Sequence, residues 1–565
     1  MPEGHPVTNL WHAYAFEARG IQRYILDGSR LRDVVGASEL LEWVSTELPD
    51  RVREAAGLSG EALRFARRAG GAVTVFSQDR GALERFAILW SLAVRQALPG
   101  IEIQHGLGSG ASEAEAYQAA LAHARASRSR QAAPLPQAGP LTARAGRTGM
   151  PAVRWHEKDG LLDEATVRKR GFSGGTALAR RFDPGSRLSD WPRLLTPEPG
   201  MEDGRGRRLS LFPFEGDNRY LGVVHADGNG LGQLVRRISE RVAELGKPYV
   251  AVFGGFSARV AEATQAAARE AVRRVLAPHR TGDGRYPACP IVLGGDDLTI
   301  LVRGDLALAF TRAFVEAFEA HSRSELAALN REFGLGLAEL EEGMTACAGV
   351  VFVKASHPFH LAHELAEALC GHAKAHARAA VGGGDGTPVP SALSFLRVTA
   401  SFTTGLEDLL EGELTVEAPS EDGRREAAFR QTMEAYAVGE ARPQAGALPR
   451  LDDLARLLEV MTLPEMSRGA ARTLLGLLGA SEADAQRRYD RWRQLMDELH
   501  PQILGRFDRC LEAIAGPCGE DLPFGKPDAA RLRRSPLGDV HALMAVGARL
   551  EPRQTDDGPR EAAHA

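Results

Sequence analysis

The sequence is poor in cysteine: Cys289, Cys347, Cys370, Cys510 and Cys518 stand at scattered positions without a CxxC pair. That excludes a zinc ribbon and a disulfide framework, and it fits a reducing cytoplasm. The N-terminal MPEGHPVTNLWHAY lacks a basic segment followed by an apolar one, and no run approaches the roughly 18 apolar residues of a membrane span. A cytoplasmic protein, neither exported nor embedded in a membrane, is expected. There is no excess of charge of one sign either. The 69 Lys and Arg face 74 Asp and Glu, and the net charge of −5 excludes a globally basic nucleic-acid binder while leaving room for a local basic groove. Glycine and proline, 61 and 31 of 565 residues, fall well short of the roughly 25–30% of a low-complexity chain. With 44% hydrophobic and 25% charged residues the composition is that of a globular protein, long enough for about three or four domains.

The first organised block runs from Leu10 to about Arg130. It opens with a strand at Trp11 to Phe16 and a helix over Ala37 to Glu47, followed by two β-like runs between Leu63 and Phe76 that turn at Gly70-Gly71. A helix (Ala82 to Leu98), a strand (Ile101 to Leu107) and a second helix (Ala111 to Ala126) complete it. Ala132 to Pro140 reads as linker, and the Gly- and Pro-rich stretch to about 215 as a small connecting module.

The first pattern then returns: a strand at Leu221 to Ala226, a helix over Leu231 to Glu244 and a glycine-turned hairpin over Pro290 to Val302. A helix (Leu306 to Glu319), a strand (Thr345 to Val353) and a helix (Pro358 to Ala379) follow. Ala69-Gly-Gly-Ala-Val-Thr-Val-Phe76 aligns with Gly294-Gly-Asp-Asp-Leu-Thr-Ile-Leu301, and Ala13-Tyr-Ala-Phe-Glu-Ala-Arg-Gly20 with Val223-Val-His-Ala-Asp-Gly-Asn-Gly230. The shared element order points to an internal duplication in which one copy has lost its acids. Beyond about residue 406 the apolar spacing is helical, as in Leu451 to Leu458, Ala470 to Leu478 and Tyr489 to Leu504. The tail from Arg553 to Ala565 is polar and expected to fray. The resulting division is 1–135, a degenerate first unit; 136–215, a connector; 216–405, a second unit; and 406–565, a helical domain.

Gly294-Gly295-Asp296-Asp297, set between two apolar runs, is the strongest chemical signal. Adjacent carboxylates on a buried hairpin repel each other, and a divalent cation offsets that cost most directly. Asp227 ends the first strand of the same unit and supplies a third acid, a set that suits two Mg²⁺ or Mn²⁺ ions on phosphate oxygens. The competing reading is a turn that glycine and aspartate merely shape. Asp227-Gly-Asn-Gly-Leu-Gly232 links that strand to a helix, so its backbone amides can approach a triphosphate. It is neither a GxGxxG nor a GxxxxGK[ST] loop. Lys374 and Arg378, one helical turn apart, form either a phosphate clamp or a solvated charged face. His357, His360, His363, His372 and His376 crowd the same region; without an HExxH pattern or a cysteine pair they read as surface or core histidines, not as metal ligands.

Several motifs occur in an order similar to that of the large polymerase/cyclase subunit of type III CRISPR effector complexes. They are Glu17-Ala-Arg-Gly-Ile-Gln-Arg-Tyr-Ile25, Ser29-Arg-Leu-Arg-Asp33, Gly36-Ala-Ser-Glu-Leu-Leu41, Asp227-Gly-Asn-Gly230, Gly294-Gly-Asp-Asp297, Lys354-Ala-Ser-His-Pro358 and Ser391-Ala-Leu393. The resemblance covers roughly residues 8 to 550. It implies an α+β fold with two ferredoxin-like palm domains, the second catalytic, a connecting module and a C-terminal helical domain. The activity implied is the joining of ATP into cyclic oligoadenylate, a second messenger of antiviral defence, when the complex holds target RNA. Effector subunits, crRNA and target RNA are the implied partners, with ATP as substrate. Carried over by position, Asp227, Asp296 and Asp297 would hold two metal ions. Gly228, Asn229, Gly230, Gly294 and Gly295 would contact the nucleotide, Lys374 its distal phosphates, and Ser391 the nucleotide less securely.

In the first copy Gly71 and Ala72 replace the acid pair, so that copy would scaffold the cleft or hold a second nucleotide, with the role of Glu17 open. Many members begin with a nuclease domain bearing a His-Asp pair and carry cysteine pairs for zinc. Neither feature is present here, which points to a variant without the nuclease and leaves a stand-alone relative open. The alternatives are a nucleotide-binding subunit without turnover and a stand-alone GGDD nucleotide cyclase. The Arg-rich stretches Arg19 to Arg32 and Arg531 to Arg534 would contact RNA, other subunits or solvent.

Overall fold

The computed structural model describes residues 10–27, 30–127, 138–192, 212–215, 219–382, 388–399, 405–417, 428–439, 448–466, 468–518, 521–528 and 531–550. Most of the Ala132 to Pro140 linker, Ser29 and the tail beyond Arg553 lie outside these residues.

Four strands, β1 (Trp11–Arg19), β2 (Arg64–Ala69), β3 (Ala72–Ser77) and β4 (Glu102–Gly110), form an antiparallel sheet in the order β2-β3-β1-β4. Helices Leu31–Thr46, Arg80–Ala97 and Glu113–Ala126 accompany it. This is the ferredoxin-like arrangement. Phe16, Phe86 and Trp90 fill its centre, with Phe86 and Trp90 stacked at 6.0 Å. The helix expected at Ala37 to Glu47 starts earlier, at Leu31, because Arg30 is still extended while Leu31 begins the turns.

A short hairpin, β5 (Ala152–His156) and β6 (Gly160–Asp163), and helix Glu164–Phe172 form the connector. It is pinned to the first sheet's helices by charge and backbone bonds. Arg170 grips Asp33 through Nε at 2.7 Å and Nη2 at 3.1 Å, and the buried Lys169 ammonium donates to the carbonyls of Tyr24 and Asp27.

The second unit repeats the first. Strands β7 (Tyr220–Gly228), β8 (Ala288–Gly294), β9 (Asp297–Arg303) and β10 (Ala346–Lys354) lie in the order β8-β9-β7-β10, the same sequence of neighbours. The alignment drawn between the copies holds in register: Glu17 faces Ala72 across β1 and β3 as Asp227 faces Asp297 across β7 and β9. Even the close helix contacts repeat. Gly106 on β4 lies opposite Ala15, Gly349 on β10 opposite His225, and a Cβ on either glycine would sit within 2.3 Å of a helix carbonyl. Helix Phe359–Ala380 therefore lies tight on β10.

Between β7 and β8 runs a 23-residue helix, Tyr249–Ala271, that the sequence reading passed over. Its Gly254 lies close to the carbonyl of Ala66 on β2, and its Gly255 against Leu329 and Phe333 of helix Ala307–Phe333. Small residues let the helix pass between the two units.

Strand β11 (Ala392–Arg397) extends the second sheet parallel to β10. Farther along, β12 (Thr415–Glu417) pairs with β13 (Ala428–Arg430), and β14 (Tyr436–Ala437) adds antiparallel to β11, so the second sheet has six strands. Helices Leu451–Met461, Arg468–Leu478, Glu482–Leu499, Pro501–Ala515 and Leu537–Val546 follow, with β15 (Leu532–Arg534) parallel to β13. Among the described residues no helix is long and apolar enough to cross a membrane.

Candidate active site

The β8–β9 turn and the end of β7 bring three carboxylates together. Asp227 lies directly across from Asp297, and Gly294 faces Asp297 from the other side. Gly295 takes the left-handed conformation (φ 62°) that lets the hairpin reverse beneath the acids. The amide of Gly228 donates to the Asp296 carbonyl at 3.2 Å, and a Cβ at Gly228 would lie 2.8 Å from Asp296 Oδ2. A glycine at 228 is thus what allows Asp227 and Asp296 to share the space.

The electrostatics follow from this crowding. Burial and then the charge of Asp227 push the Asp296 carboxyl up to about 7. Burial, Asp227 and Glu367 push Asp297 up to about 8. Among the described residues, Asp297 Oδ1 is buried with no hydrogen-bond partner. An oxygen donor set that resists ionisation and holds an unpartnered oxygen fits a hard divalent cation bound by Asp227, Asp296 and Asp297.

Lys374, on helix Phe359–Ala380, reaches this cluster: its ammonium pairs with Asp227 Oδ2 and donates to the Gly228 carbonyl at 3.0 Å. Burial pulls its pKa down, but the bond to Asp227 and that carboxylate's charge outweigh it and raise the value. Arg378, a turn further on, is exposed. Gly230 (φ 75°) starts helix Leu231–Leu245 without a side-chain cap of its own, which places the helix N-terminus directly after the loop. Asn229 faces inward: its Nδ2 donates to Thr345 Oγ1 at 3.0 Å and its backbone N to the Thr345 carbonyl at 2.8 Å, which fixes the loop's path. Ser391 is buried, donating to Glu319 and accepting from the Ala346 amide at 3.1 Å, and is not among the residues lining the cleft.

The cleft itself is a cavity of about 680 Å³ between the two units. Gly294, Gly295, Asp296 and Asp297 line one side, and Gly70, Gly71, Thr74 and Tyr117 of the first unit the other, with the cations Arg67, Arg125 and Arg236 around it. Gln22 bridges the units, its amide oriented to donate to Glu367 Oε1 at 2.8 Å.

His225 is a site neighbour that motif reading missed. Its Nδ1 lies 3.1 Å from Thr299 Oγ1 and 3.6 Å from Asp297 Oδ1, and burial lowers its pKa. The signal was available, since residues two apart on a strand share a face and His225 stands two before Asp227.

Duplicated ferredoxin-like halves with a carboxylate cluster on one of them define a palm-type protein. More particularly, residues 220–382 match the family described as Cas10/Cmr2, second palm domain, so the chain carries a palm of that family and the likeness to the large subunit of type III CRISPR complexes stands. Among solved structures, a Csm1-Csm4 cassette in complex with cA4 is similar over 95% of this chain and 70% of that one, with 11% identity and a TM-score of 0.50. Csm1 in T. onnurineus is similar over 96% and 70%, with 12% identity and a TM-score of 0.50. At these identities the likeness is one of fold. No curated protein matches the sequence.

Proposed function

We propose that this protein is a nucleotidyl cyclase that polymerises ATP into cyclic oligoadenylate within a type III CRISPR effector complex, activated by target RNA. One observation carries the reading. Asp227, Asp296 and Asp297 converge beside a cleft whose other wall is a palm without the paired aspartates. Such a cleft suits two nucleotides, one offering a 3′-hydroxyl and the other an α-phosphate. The 3′-hydroxyl gives up its proton to solvent, its oxygen bonds to the α-phosphorus as the bond to pyrophosphate breaks, and repetition followed by ring closure with loss of the last pyrophosphate yields the product.

The three carboxylates would hold Mg²⁺ or Mn²⁺, which supply charge neutralisation and Lewis-acid activation when bound. The chain's own groups do the rest. The helix N-terminus after Gly230 favours a triphosphate, and Lys374 positions Asp227 through their ion pair. Arg67 and Arg125 of the first palm offer phosphate a positive charge at the far wall of the cleft. Gly228, Asn229, Gly230, Gly294 and Gly295 shape the loops around the nucleotide, and Ser391 acts from behind, through its contact with the Ala346 amide on β10. The segments 1–135, 136–215, 216–405 and 406–565 serve as first palm, connector, catalytic palm and helical domain.

The relative seated with Csm4 and cA4 supports both the partner and the product class. The test is incubation of the purified chain, with and without a Csm4-type subunit, guide RNA and target RNA, with labelled ATP or GTP and Mn²⁺. Oligoadenylates that depend on target RNA support the reading. Guanylate products would move it to a GGDD cyclase of another kind, and nucleotide binding without product to a regulatory subunit.

A further inference from the structure

Two turns of helix Phe359–Ala380 carry His372 and His376 on one face, and the fold brings a third donor to them from a distant segment. His372 Nε2 lies 3.0 Å from Glu434 Oε2, although 62 residues separate the two in sequence. His376 Nε2 lies 3.0 Å from the same oxygen, and the ring centroids are 4.4 Å apart. The donor atoms of all three residues fall within 4.8 Å of one another.

We propose that His372, His376 and Glu434 form a transition-metal site, of the kind that takes Zn²⁺, which staples the C-terminal region to the palm helix carrying Lys374. The donor set is two imidazoles and one carboxylate, the borderline mixture that suits Zn²⁺, and it leaves a position for water or another ligand. Tetrahedral bonds of about 2.0–2.1 Å set ligand atoms roughly 3.3 Å apart, so the observed 3.0 Å separations need to open by only a few tenths of an ångström. Metal binding requires each Nε2 to present its lone pair, with the imidazole proton on Nδ1. The His side chains are 21% and 30% exposed against 3% for Glu434, which leaves the open position and an entry path on the histidine side.

Two features show a built site. Glu434 is one of two non-glycine residues with positive φ among the described ones (φ 71°), a conformation that costs energy and aims the carboxylate at the histidines. Its other oxygen is held by Arg430 Nη1 at 2.7 Å and Arg534 Nε at 3.0 Å. Those guanidiniums are themselves paired with Glu411 and, at 2.6 Å, with Asp528. Three carboxylates against two guanidiniums leave one negative charge to meet a dication. Because Lys374 lies between the two histidines on the helix, an ion here fixes the register of the lysine that pairs with Asp227.

The site is separate from the palm carboxylates, and its test does not depend on turnover. The full-length chain, stripped with chelator, is dialysed against Zn²⁺ alone and its metal content measured, with Co²⁺ absorption as a second readout of nitrogen and oxygen ligation. About one equivalent of Zn²⁺ is expected in the wild type and in Asp296→Ala/Asp297→Ala, and its loss in His376→Ala. Zn²⁺ should raise the Tm of the wild type and leave that of His376→Ala unchanged. A wild type that retains no zinc overturns the proposal without any variant. So does a folded His376→Ala that retains as much zinc as the wild type, or zinc lost only with the palm aspartates.

Discussion

Asp227 and Asp297 face each other across adjacent antiparallel strands, in the register that Glu17 and Ala72 occupy in the first palm. The same backbone frame is thus used twice, once with a carboxylate pair at the cleft and once with an exposed Glu17 opposite a methyl group. In the second palm the cost of crowding acids is visible in the raised pKa values of Asp296 and Asp297 and is partly offset by Lys374.

Lys374→Met should therefore lower nucleotide polymerisation by roughly 10²-fold, since a preorganised charge is removed from the site while the aliphatic stem is kept. Steady-state rates with circular dichroism as a fold control check this. A rate within twofold of wild type would remove Lys374 from the mechanism.

Gly228→Ala introduces a Cβ 2.8 Å from Asp296 Oδ2 and 2.9 Å from Met344 Cε. The carboxylate has to move, so divalent-ion affinity, read by Mn²⁺ titration, should fall by about tenfold with only a small change in Tm. Gly349→Ala is the structural counterpart: its Cβ would lie 2.1 Å from the Ala366 carbonyl, backbone that cannot step aside cheaply. Urea denaturation should show about 2–3 kcal/mol of lost stability.

His363 packs on His225 and Phe359, and burial, with the nearby His225 charge, pushes its pKa down to about 4. The unfolded chain takes up this proton near pH 6.5 and the folded chain only near 4, so stability is full above about 6.5 and falls as pH falls through that window. Complete passage through the window would cost on the order of 3 kcal/mol. His363→Leu should flatten the acid limb of a stability curve measured between pH 7 and 4.5; an unchanged limb would assign the acid sensitivity elsewhere.

The sequence carried the β8–β9 hairpin openly, because Gly294-Gly295 and Asp296-Asp297 interrupt two apolar runs that can pair only by turning there. The duplication was legible for the same reason, through Gly70-Gly71. Helix Tyr249–Ala271 was not, since its glycines read locally as breakers and their use is the close passage of Ala66, Leu329 and Phe333. The histidine pair looked unpartnered for a related cause. Its third member, Glu434, arrives through the pairing of β14 with β11, a long-range contact that no local pattern announces.

The most direct measurement is mass spectrometry of the products formed from ATP and Mn²⁺ by the RNA-loaded complex containing either the wild-type chain or Asp297→Asn. Oligoadenylates, cyclic ones among them, are expected with the wild type and none with the variant, whose cleft keeps its shape and loses a carboxylate oxygen proposed to bind metal. The same products from both chains, or none from the wild type while ATP is bound, would contradict the proposed function.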